Sequence, residues 1–465
     1  MKIKTHLDIS LDSNYDTNKI INYLKRYFQF YFVELSLEEG QNIIYSFKKP
    51  LDTIELREKY VSDGEENYLM LFLYLVNKER FTNGRKNLSF LVADAFGVEG
   101  KRRFDSLIQI STRGLERLNS GAYLQLVKEF IWASQIDDSS KFNLREFSNM
   151  DEDASENQDR FLLGLKSQFG DAFRQYHKYI AVISADGDFI GKILEVIGTD
   201  AGKIKLFSEK LLIFSNEAAE IITQYGGSPV YIGGEDIFCF APIACTSGSE
   251  DSPQILFNLF DLISKLDTCF YNHLGSYAKN LTIQIPTLSY GISVTYYKSP
   301  LNKSISQSLE LLKQSKYDDK RTHTRNTIGI RIEKHSGQFF EAFYEKNKLT
   351  SLNNFKALVD KFSRSMVIPD IEKSDLFFNS IMHKLKDPLF ATIIELIAKN
   401  KTQLAEFFKS NFNEKIHLEN QSYIDAVTDL IYNAYIDYSH PQDANHVAYT
   451  SLRFIDFINK SDKES

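Results

Sequence analysis

The chain has 465 residues, 43% of them hydrophobic and 25% charged, so it can bury substantial cores and is not disordered. At roughly 150 residues per domain, this length predicts about three domains. The 62 acidic and 55 basic residues leave a formal net charge of −7. This balance excludes a protein whose whole surface wraps nucleic acid, while a local basic groove stays compatible with it.

Three cysteines, Cys239, Cys245 and Cys269, are too few for a disulfide framework, and there is no CxxC pair for a zinc ribbon. We therefore expect a reducing compartment and no zinc. The longest apolar run, residues 68–76, is less than half of the ~20 residues that a membrane helix requires, and the N-terminus has no signal-peptide core. The sequence predicts a cytoplasmic, multidomain protein with no membrane partner.

The first third of the chain predicts an N-terminal α/β domain over residues 1–135. Apolar patterns indicate a strand–helix–strand opening over residues 2–37, a buried strand at 88–95 and helices within 114–134. No catalytic motif occurs there. Residues 136–160 are acidic, rich in Ser and Asn and almost without periodicity, which predicts a linker or a long exposed loop.

Residues 161–345 are predicted to form a second domain, with the β-α-β-β-α-β order of a ferredoxin-like fold. Strands are predicted at 179–185, 229–232, 237–241, 287–297 and 327–334, and helices at 207–225, 254–274 and 304–314. Strand patterns stop after about residue 349. Residues 346–465 are therefore predicted to be a C-terminal helical bundle, and the fold class is α+β.

The motif Asp186-Gly187-Asp188 stands where an apolar strand ends and a helix opens with Phe189. A carboxylate at that position can hold a divalent cation, and the N–H groups of the following turn, with the helix dipole, suit a polyphosphate. Taken alone, the motif is also typical of an Asx turn that caps a helix.

A second acidic motif, Gly233-Gly234-Glu235-Asp236, forms a turn between two apolar strands. In a ferredoxin-like unit the first and third strands are neighbours, so this hairpin is expected to meet the end of the first strand, beside Asp186. Three unpaired carboxylates repel one another strongly, and two bound Mg²⁺ or Mn²⁺ ions would remove that cost. The two glycines let a nucleotide approach the backbone. This juxtaposition favours metal-dependent nucleotidyl transfer.

In these motifs the chain resembles the large polymerase-cyclase subunit of type III CRISPR effector complexes, nearer the Cmr type than the Csm type. The matching segments, in chain order, are His177-Lys178-Tyr179, residues 186–192 (DGDFIGK), residues 231–238 at the place of the family's GGDD motif, Ser289-Tyr290-Gly291-Ile292, Pro300-Leu301, Lys316, Asn326 and His335-Ser336-Gly337.

The resemblance implies that Asp186, Glu235 and Asp236 are the catalytic acids and the ligands of two Mg²⁺ or Mn²⁺ ions, with ATP as substrate. It implies a wider set of nucleotide-binding residues: Gly187, Asp188, Phe189, Gly191, Lys192, Gly233, Gly234, Lys316, Lys320 and Arg321. The last three are equally typical of a solvated basic turn. Glu235 stands where the family has Asp, which still permits metal binding but could alter rate or substrate.

Two departures from the family concern whole domains. Many members begin with an HD-type nuclease, whereas this sequence contains no His-Asp dipeptide, so we predict no nuclease of that kind. The family also carries a first palm and often a zinc finger before the catalytic palm. Residues 1–135 could hold only a reduced first palm, and the cysteine count argues against the finger.

The resemblance implies an enzyme that makes an adenylate second messenger when target RNA binds a guide-carrying complex. Its product would be cyclic oligoadenylate, or AMP joined to an acceptor such as S-adenosylmethionine as co-substrate. Two alternatives are a catalytically silent scaffold subunit of the same complex and a stand-alone nucleotide cyclase that needs no RNA. Because the chain is acidic, contacts with guide RNA and target RNA are expected to run largely through other subunits.

Overall fold

The computed structural model describes residues 105–137, 150–249, 252–317, 325–364, 380–419, 421–460 and 462. By its contacts the chain divides into two compact units, residues 1–105 with 197–204 and residues 106–196 with 205–465. The elements predicted over residues 2–37 and 88–95 lie outside the described residues. The reduced first palm therefore stays a prediction.

The described strands are β1 (Tyr179–Asp188), β2 (Ser228–Gly233), β3 (Asp236–Pro242), β4 (Ala244–Ser249), β5 (Ser252–Asn258), β6 (Thr287–Tyr296), β7 (Thr327–Glu333) and β8 (Phe339–Glu345). Six of them form one sheet in the order β2-β3-β1-β6-β7-β8, and β4 pairs with β5 in a separate hairpin. Strand β1 is antiparallel to β3 and β6, whereas β6 and β7 are parallel.

The helices, numbered in chain order, are α1 (Leu107–Thr112), α2 (Ser120–Asp137), α3 (Met150–Phe169), α4 (Ile190–Ile197), α5 (Ala201–Tyr225), α6 (Leu259–Phe270), α7 (Ser276–Asn280), α8 (Leu301–Tyr317), α9 (Leu349–Arg364), α10 (Pro388–Ile397), α11 (Lys401–Asn411), α12 (Lys415–Glu419), α13 (Gln421–Asp437) and α14 (Pro441–Asn459). Residues 380–386 are also helical.

The predicted ferredoxin-like arrangement is confirmed by the sheet order. Strands β2, β3, β1 and β6 lie side by side in the spatial order that this fold requires, and β7 and β8 extend the sheet beyond β6. Strand β1 is the centre of the core because its apolar residues 180–183 are fully buried. Edge-to-face packing of Phe214 on Phe270, with ring centroids 5.0 Å apart, joins helices α5 and α6 over the sheet.

The helix predicted over residues 254–274 begins later than expected. Residues up to Asn258 belong to β5, and α6 starts at Leu259. The cause is a capping box: the Asn258 side chain accepts from the backbone N–H of Phe260, and the Asp261 side chain accepts from the N–H of Asn258. Strand β8 was not predicted either, although its residues 340, 342 and 344 are buried in strand-like alternation.

Helices α1 to α3 belong to the same compact unit as the sheet. Their apolar side chains form a cluster with Tyr297, in which the rings of Phe130 and Phe161 stack at 4.9 Å. The segment 136–160, expected to be a linker or loop, is helical from Met150 onward. Leu162 and Leu165, just after that segment, are buried in the same cluster. The amphipathic second half of α3 thus packs beside the sheet.

The C-terminal region is helical, as predicted, and packs on the far edge of the sheet. Thr450 in α14 donates to the Glu341 carbonyl at 2.9 Å, and the hydroxyls of Ser451 and Tyr344 lie 2.9 Å apart. These bonds connect α14 to β8. Of the helices that the structure describes, none is both long enough and apolar enough to cross a membrane.

Candidate active site

The first acidic motif lies at the C-terminal end of β1. Asp186 pairs with Ser289 of β6, and two residues later Asp188 pairs with Thr287. The Asp186 side chain is 35% exposed, whereas that of Asp188 is completely buried. Only the first of these two carboxylates can therefore meet a ligand from solvent.

The second motif forms the tight turn between β2 and β3. Gly234 adopts the left-handed conformation with φ +71°, which an L side chain rarely takes, and its carbonyl accepts a 3.1 Å bond from the Ser215 hydroxyl of α5. Glu235 follows at the turn, and Asp236 is the exposed first residue of β3. The turn thereby presents two successive acids at the edge of the sheet.

The sheet register brings the two motifs together, as the sequence predicts. Ala185 pairs with Ile237, so one further step along each strand sets Asp186 opposite Asp236. Gly187 allows the Glu235 side chain to approach, because a Cβ atom at Gly187 would lie 2.7 Å from the Glu235 Cβ and 2.9 Å from its Cγ. The approach therefore depends on the absence of a side chain in the middle of the Asp-Gly-Asp motif.

The electrostatics of the site disfavour three free carboxylates. Burial raises the pKa of Glu235, and the negative charges of Asp236 and Asp186 raise it further. The pKa of Asp236 is raised by desolvation and by Asp186. Lys316 acts in the opposite direction on both acids. The three acids therefore carry more negative charge than Lys316 compensates.

Lys316, in the last turn of α8, is the cation of this site. Its Nζ lies 2.6 Å from Asp186 Oδ2 and 3.8 Å from Asp188 Oδ1, and it donates to the Gly187 carbonyl at 3.1 Å. The side chain is only 7% exposed. For Lys316 the alternative of a solvated basic turn is therefore wrong. Lys320 and Arg321 lie outside the described residues.

Asp188 is bound inside the fold. Its Oδ2 accepts three hydrogen bonds, from the hydroxyls of Thr287 and Ser289 and from the backbone N–H of Asn326, at 2.8 to 2.9 Å. This carboxylate therefore joins the ends of β1, β6 and β7. It offers no exposed atom to a nucleotide, in contrast to the role that the resemblance implies for it.

The turn from β1 into α4 places aromatic and basic groups beside the acids. Phe189 has φ +62°, a strained value for a residue with a large side chain. The Arg325 guanidinium lies 4.6 Å from the centre of its ring, and the Lys192 ammonium 5.1 Å from it. Lys192 also donates to Gln284, and Gly191 is exposed in the first turn of α4. No sequence pattern pointed to Arg325.

The donor set fits hard divalent cations such as Mg²⁺ or Mn²⁺, because it consists of carboxylate oxygens with uncompensated repulsion. Among the described residues, however, the carboxylate oxygens of Asp186, Glu235 and Asp236 do not all lie within 4.8 Å of one another. Asp186 is instead held by Lys316 in an ion pair. The site thus combines ligands for a cation with a lysine that can neutralise one of them.

A ferredoxin-like sheet with acids at the end of its first strand and on the adjoining hairpin defines a palm domain with the nucleotidyltransferase/cyclase fold. The family model described as Cas10/Cmr2, second palm domain, matches residues 179–328. This match confirms the resemblance over the palm: residues 179–328 are similar to the second palm domain of Cas10/Cmr2 and have its nucleotidyltransferase-like fold. No curated protein shows significant similarity to the chain.

Proposed function

We propose that the chain is a metal-dependent nucleotidyltransferase that converts ATP into an adenylate second messenger. The observation that carries this proposal is the convergence of Asp186 with the Glu235-Asp236 hairpin around the buried Lys316. A palm that served only as a scaffold would gain nothing from three mutually repelling carboxylates. The presence of all three acids at one place supports a catalytic role.

We propose that Asp186, Glu235 and Asp236 hold two Mg²⁺ or Mn²⁺ ions. When bound, such ions lower the pKa of a ribose 3′-hydroxyl and stabilise the charge on the α-phosphate as pyrophosphate leaves. Gly234 leaves the hairpin backbone open to the nucleotide, since a Cβ atom there would meet only Leu211 at 4.0 Å, whereas the Tyr231 ring already lies against Gly233. With Asp186 engaged by a cation, Lys316 would be free to donate to the triphosphate and take part of its charge. This scheme requires no side-chain general base.

The product follows from the acceptor that is bound when ATP reacts. A second ATP as acceptor leads to cyclic oligoadenylate, whereas S-adenosylmethionine leads to an AMP conjugate. Glu235 in place of the family's Asp adds one methylene at a ligand position, which supports keeping both products in the proposal. Adenine preference is taken from the family resemblance.

We propose that the chain acts within a type III ribonucleoprotein and that target RNA switches it on. The formal net charge of −7 supports weak, salt-sensitive binding of RNA by the chain alone. Guide and target RNA are then held mostly by other subunits. Sub-micromolar affinity of the isolated chain at physiological salt would contradict this part of the proposal.

The test is mass spectrometry of the products formed from ATP with Mg²⁺ or Mn²⁺, with and without S-adenosylmethionine, by the isolated chain and by the assembled complex with target RNA. We expect a new adenylated product from the complex, and its mass distinguishes the two product classes. Asp236→Asn should abolish it. Asp425→Asn, the same change at an exposed position of α13, is the matched control and should leave product formation intact.

Absence of product from a fully assembled, target-bound complex under all conditions would overturn the proposal and favour the scaffold alternative. Product formation by the isolated chain, undiminished by the absence of RNA, would favour the stand-alone cyclase. Equal activity in Asp236→Asn and wild type would show that the reaction takes place elsewhere.

A further inference from the structure

A second cluster of potential metal ligands lies away from the acidic site, between α5 and the end of α6. It consists of Glu217 in α5, Cys269 in α6 and His273 in the turn that follows, and we call it the α5–α6 triad. One ligand atom from each residue lies within 4.8 Å of the others. Among the described residues, no other group of three or more His, Cys, Asp or Glu side chains is this compact.

Both partners converge on one oxygen of Glu217. His273 Nε2 lies 2.8 Å from Glu217 Oε2, and Cys269 Sγ lies 3.4 Å from the same atom. In a tetrahedral zinc site with bonds of about 2.0–2.3 Å, neighbouring ligand atoms are about 3.3–3.6 Å apart. The sulfur–oxygen distance already matches. The nitrogen–oxygen distance has to open by only about 0.6 Å, as the hydrogen bond gives way to two metal bonds.

The backbone carries His273 in an unusual turn. Residues Tyr271–Gly275 form a π-helical turn directly after α6, and such turns occur mostly as single insertions, frequently at functional sites. Cys269 is four residues before His273, a spacing that places both on one helix face. The turn thus adjusts the direction of the imidazole on the face that already carries the thiol.

Access and burial suit a site with one open position. Cys269 is buried, with 6% of the residue exposed, so the sulfur is shielded from solvent. The side chains of His273 and Glu217 are 20% and 50% exposed, which leaves an entry path for an ion from solution. Three protein ligands plus one water is a common zinc arrangement.

We propose that the α5–α6 triad binds one zinc ion through Glu217 Oε2, Cys269 Sγ and His273 Nε2, with water as the fourth ligand. The thiol proton passes to solvent as the sulfur–metal bond forms. The ion crosslinks α5, which leads into the Gly-Gly-Glu-Asp hairpin, to α6 on the same side of the sheet. This inference does not rest on the proposed nucleotidyl transfer.

The proposal departs from the expectation of no zinc, which rested on the missing CxxC pair. That rule detects ligands that are neighbours in the chain. Here the ligands come from two helices, and Glu217 is separated from Cys269 by 52 positions. Only the packing of α5 on α6 brings them together.

The test uses Co²⁺ as a spectroscopic substitute for zinc in the full chain, stripped of metal and kept reduced without added thiols. We expect one Co²⁺ per chain with a thiolate-to-cobalt charge-transfer band and intense tetrahedral d–d bands, both displaced by Zn²⁺. Cys269→Ser should lose the charge-transfer band. Glu217→Gln should weaken binding at least about tenfold and, being a change at a half-exposed side chain, should keep the fold.

Two controls separate this site from other thiols and from the acidic palm site. Cys245→Ala removes a buried thiol outside the triad, and Asp236→Asn removes an acid of the palm; both should retain the charge-transfer band. A thermal shift with Zn²⁺ that is seen in wild type and reduced in Glu217→Gln is the second readout. The absence of a charge-transfer band in wild type, or its persistence in Cys269→Ser, would overturn the proposal.

Discussion

The Lys316 ammonium lies 2.6 Å from Asp186 Oδ2 and takes the place of a counter-ion for the acid that ends β1. A lysine and a divalent cation compete for such a carboxylate because both neutralise the same charge. Lys316 also reaches the carbonyl of Gly187, so the ion pair links the end of α8 to the acidic motif. In the absence of metal, this lysine therefore supports the fold of the site.

Lys316→Met should make the chain less stable when no divalent cation is present. The change leaves Asp186 and the fully buried Asp188 without their nearest cation, at a cost of about 2–3 kcal/mol, reduced by the partial exposure of Asp186. Added Mg²⁺ should raise the melting temperature of this variant more than that of wild type, because the cation no longer displaces a lysine. Thermal unfolding in EDTA and in Mg²⁺ measures both effects.

The matched control for this comparison is Lys415→Met, which removes a lysine whose side chain is 90% exposed. It should leave both the stability and the Mg²⁺ response unchanged. Identical Mg²⁺-induced shifts in Lys316→Met and wild type would contradict competition between lysine and cation at Asp186.

Gly187→Ala should displace the acidic hairpin from the end of β1. The new methyl group would lie 2.7 Å from Glu235 Cβ and 2.9 Å from Ile190 Cγ1, so the hairpin or the turn must move. We expect adenylate product to fall by at least about tenfold and stability to fall by about 1–3 kcal/mol. Product quantification and chemical denaturation of the same preparation measure the two losses.

Gly121→Ala is the control, because a methyl group there meets only the Asn119 side chain at 3.7 Å. In the helix α2 this change should stabilise the chain slightly. If Gly187→Ala retained full activity, the close approach of Glu235 would not be needed for the reaction.

Asp186→Asn should mainly reduce activity and Asp188→Asn should mainly reduce stability, although the two residues are only two positions apart. Asp188→Asn replaces a buried acceptor of three hydrogen bonds, so we expect a loss of about 2 kcal/mol or more in the free energy of unfolding. Asp186→Asn leaves Lys316 with Asp188 as a remaining counter-charge at 3.8 Å, so it should destabilise the chain less than Asp188→Asn does, while product formation is lost. Denaturation curves together with product assays distinguish them, and equal destabilisation by both would contradict the assignment.

Much of the site can be predicted from the sequence because a ferredoxin-like order of elements determines which strands are neighbours. Apolar runs locate β1 and β3, and their pairing alone brings Asp186 to the hairpin acids. Strand β1 even continues through the Asp-Gly-Asp motif to Asp188. The same argument cannot tell Asp186 from Asp188, because the burial of Asp188 depends on Thr287 and Ser289, about a hundred residues further on.

The first residue of a helix can be predicted from the sequence when the residues of its N-terminal cap are recognised. Asn258 and Asp261 have the spacing of a capping box, which indicates a helix start at Leu259 rather than at residue 254. The ion pair between Lys316 and Asp186, in contrast, has no such local sequence pattern. The burial of Lys316 depends on how the end of α8 packs against the end of β1, and the local periodicity of the sequence does not specify this packing.

The last prediction concerns His177, which is completely buried just before β1. Burial lowers its pKa from 6.5 to about 3. Its Nδ1 lies 3.0 Å from the Arg174 backbone nitrogen and 3.2 Å from the Arg174 carbonyl oxygen, so the neutral ring accepts from the N–H in one tautomer and donates to the carbonyl in the other. Between these two pKa values the unfolded chain binds a proton that the folded chain does not. Stability that is fully present above pH 6.5 is therefore lost progressively as the pH falls toward 3.

We expect this histidine to lower the free energy of unfolding by about 2 kcal/mol between about pH 8 and about pH 5. His177→Asn keeps an acceptor for Arg174 but cannot take up the proton, so the pH dependence of its stability should be weaker by that amount. His446→Asn, at an exposed position of α14, should keep the wild-type dependence. Urea denaturation of the three proteins across this pH range measures the difference, and parallel curves for wild type and His177→Asn would show that His177 is not held neutral in the fold.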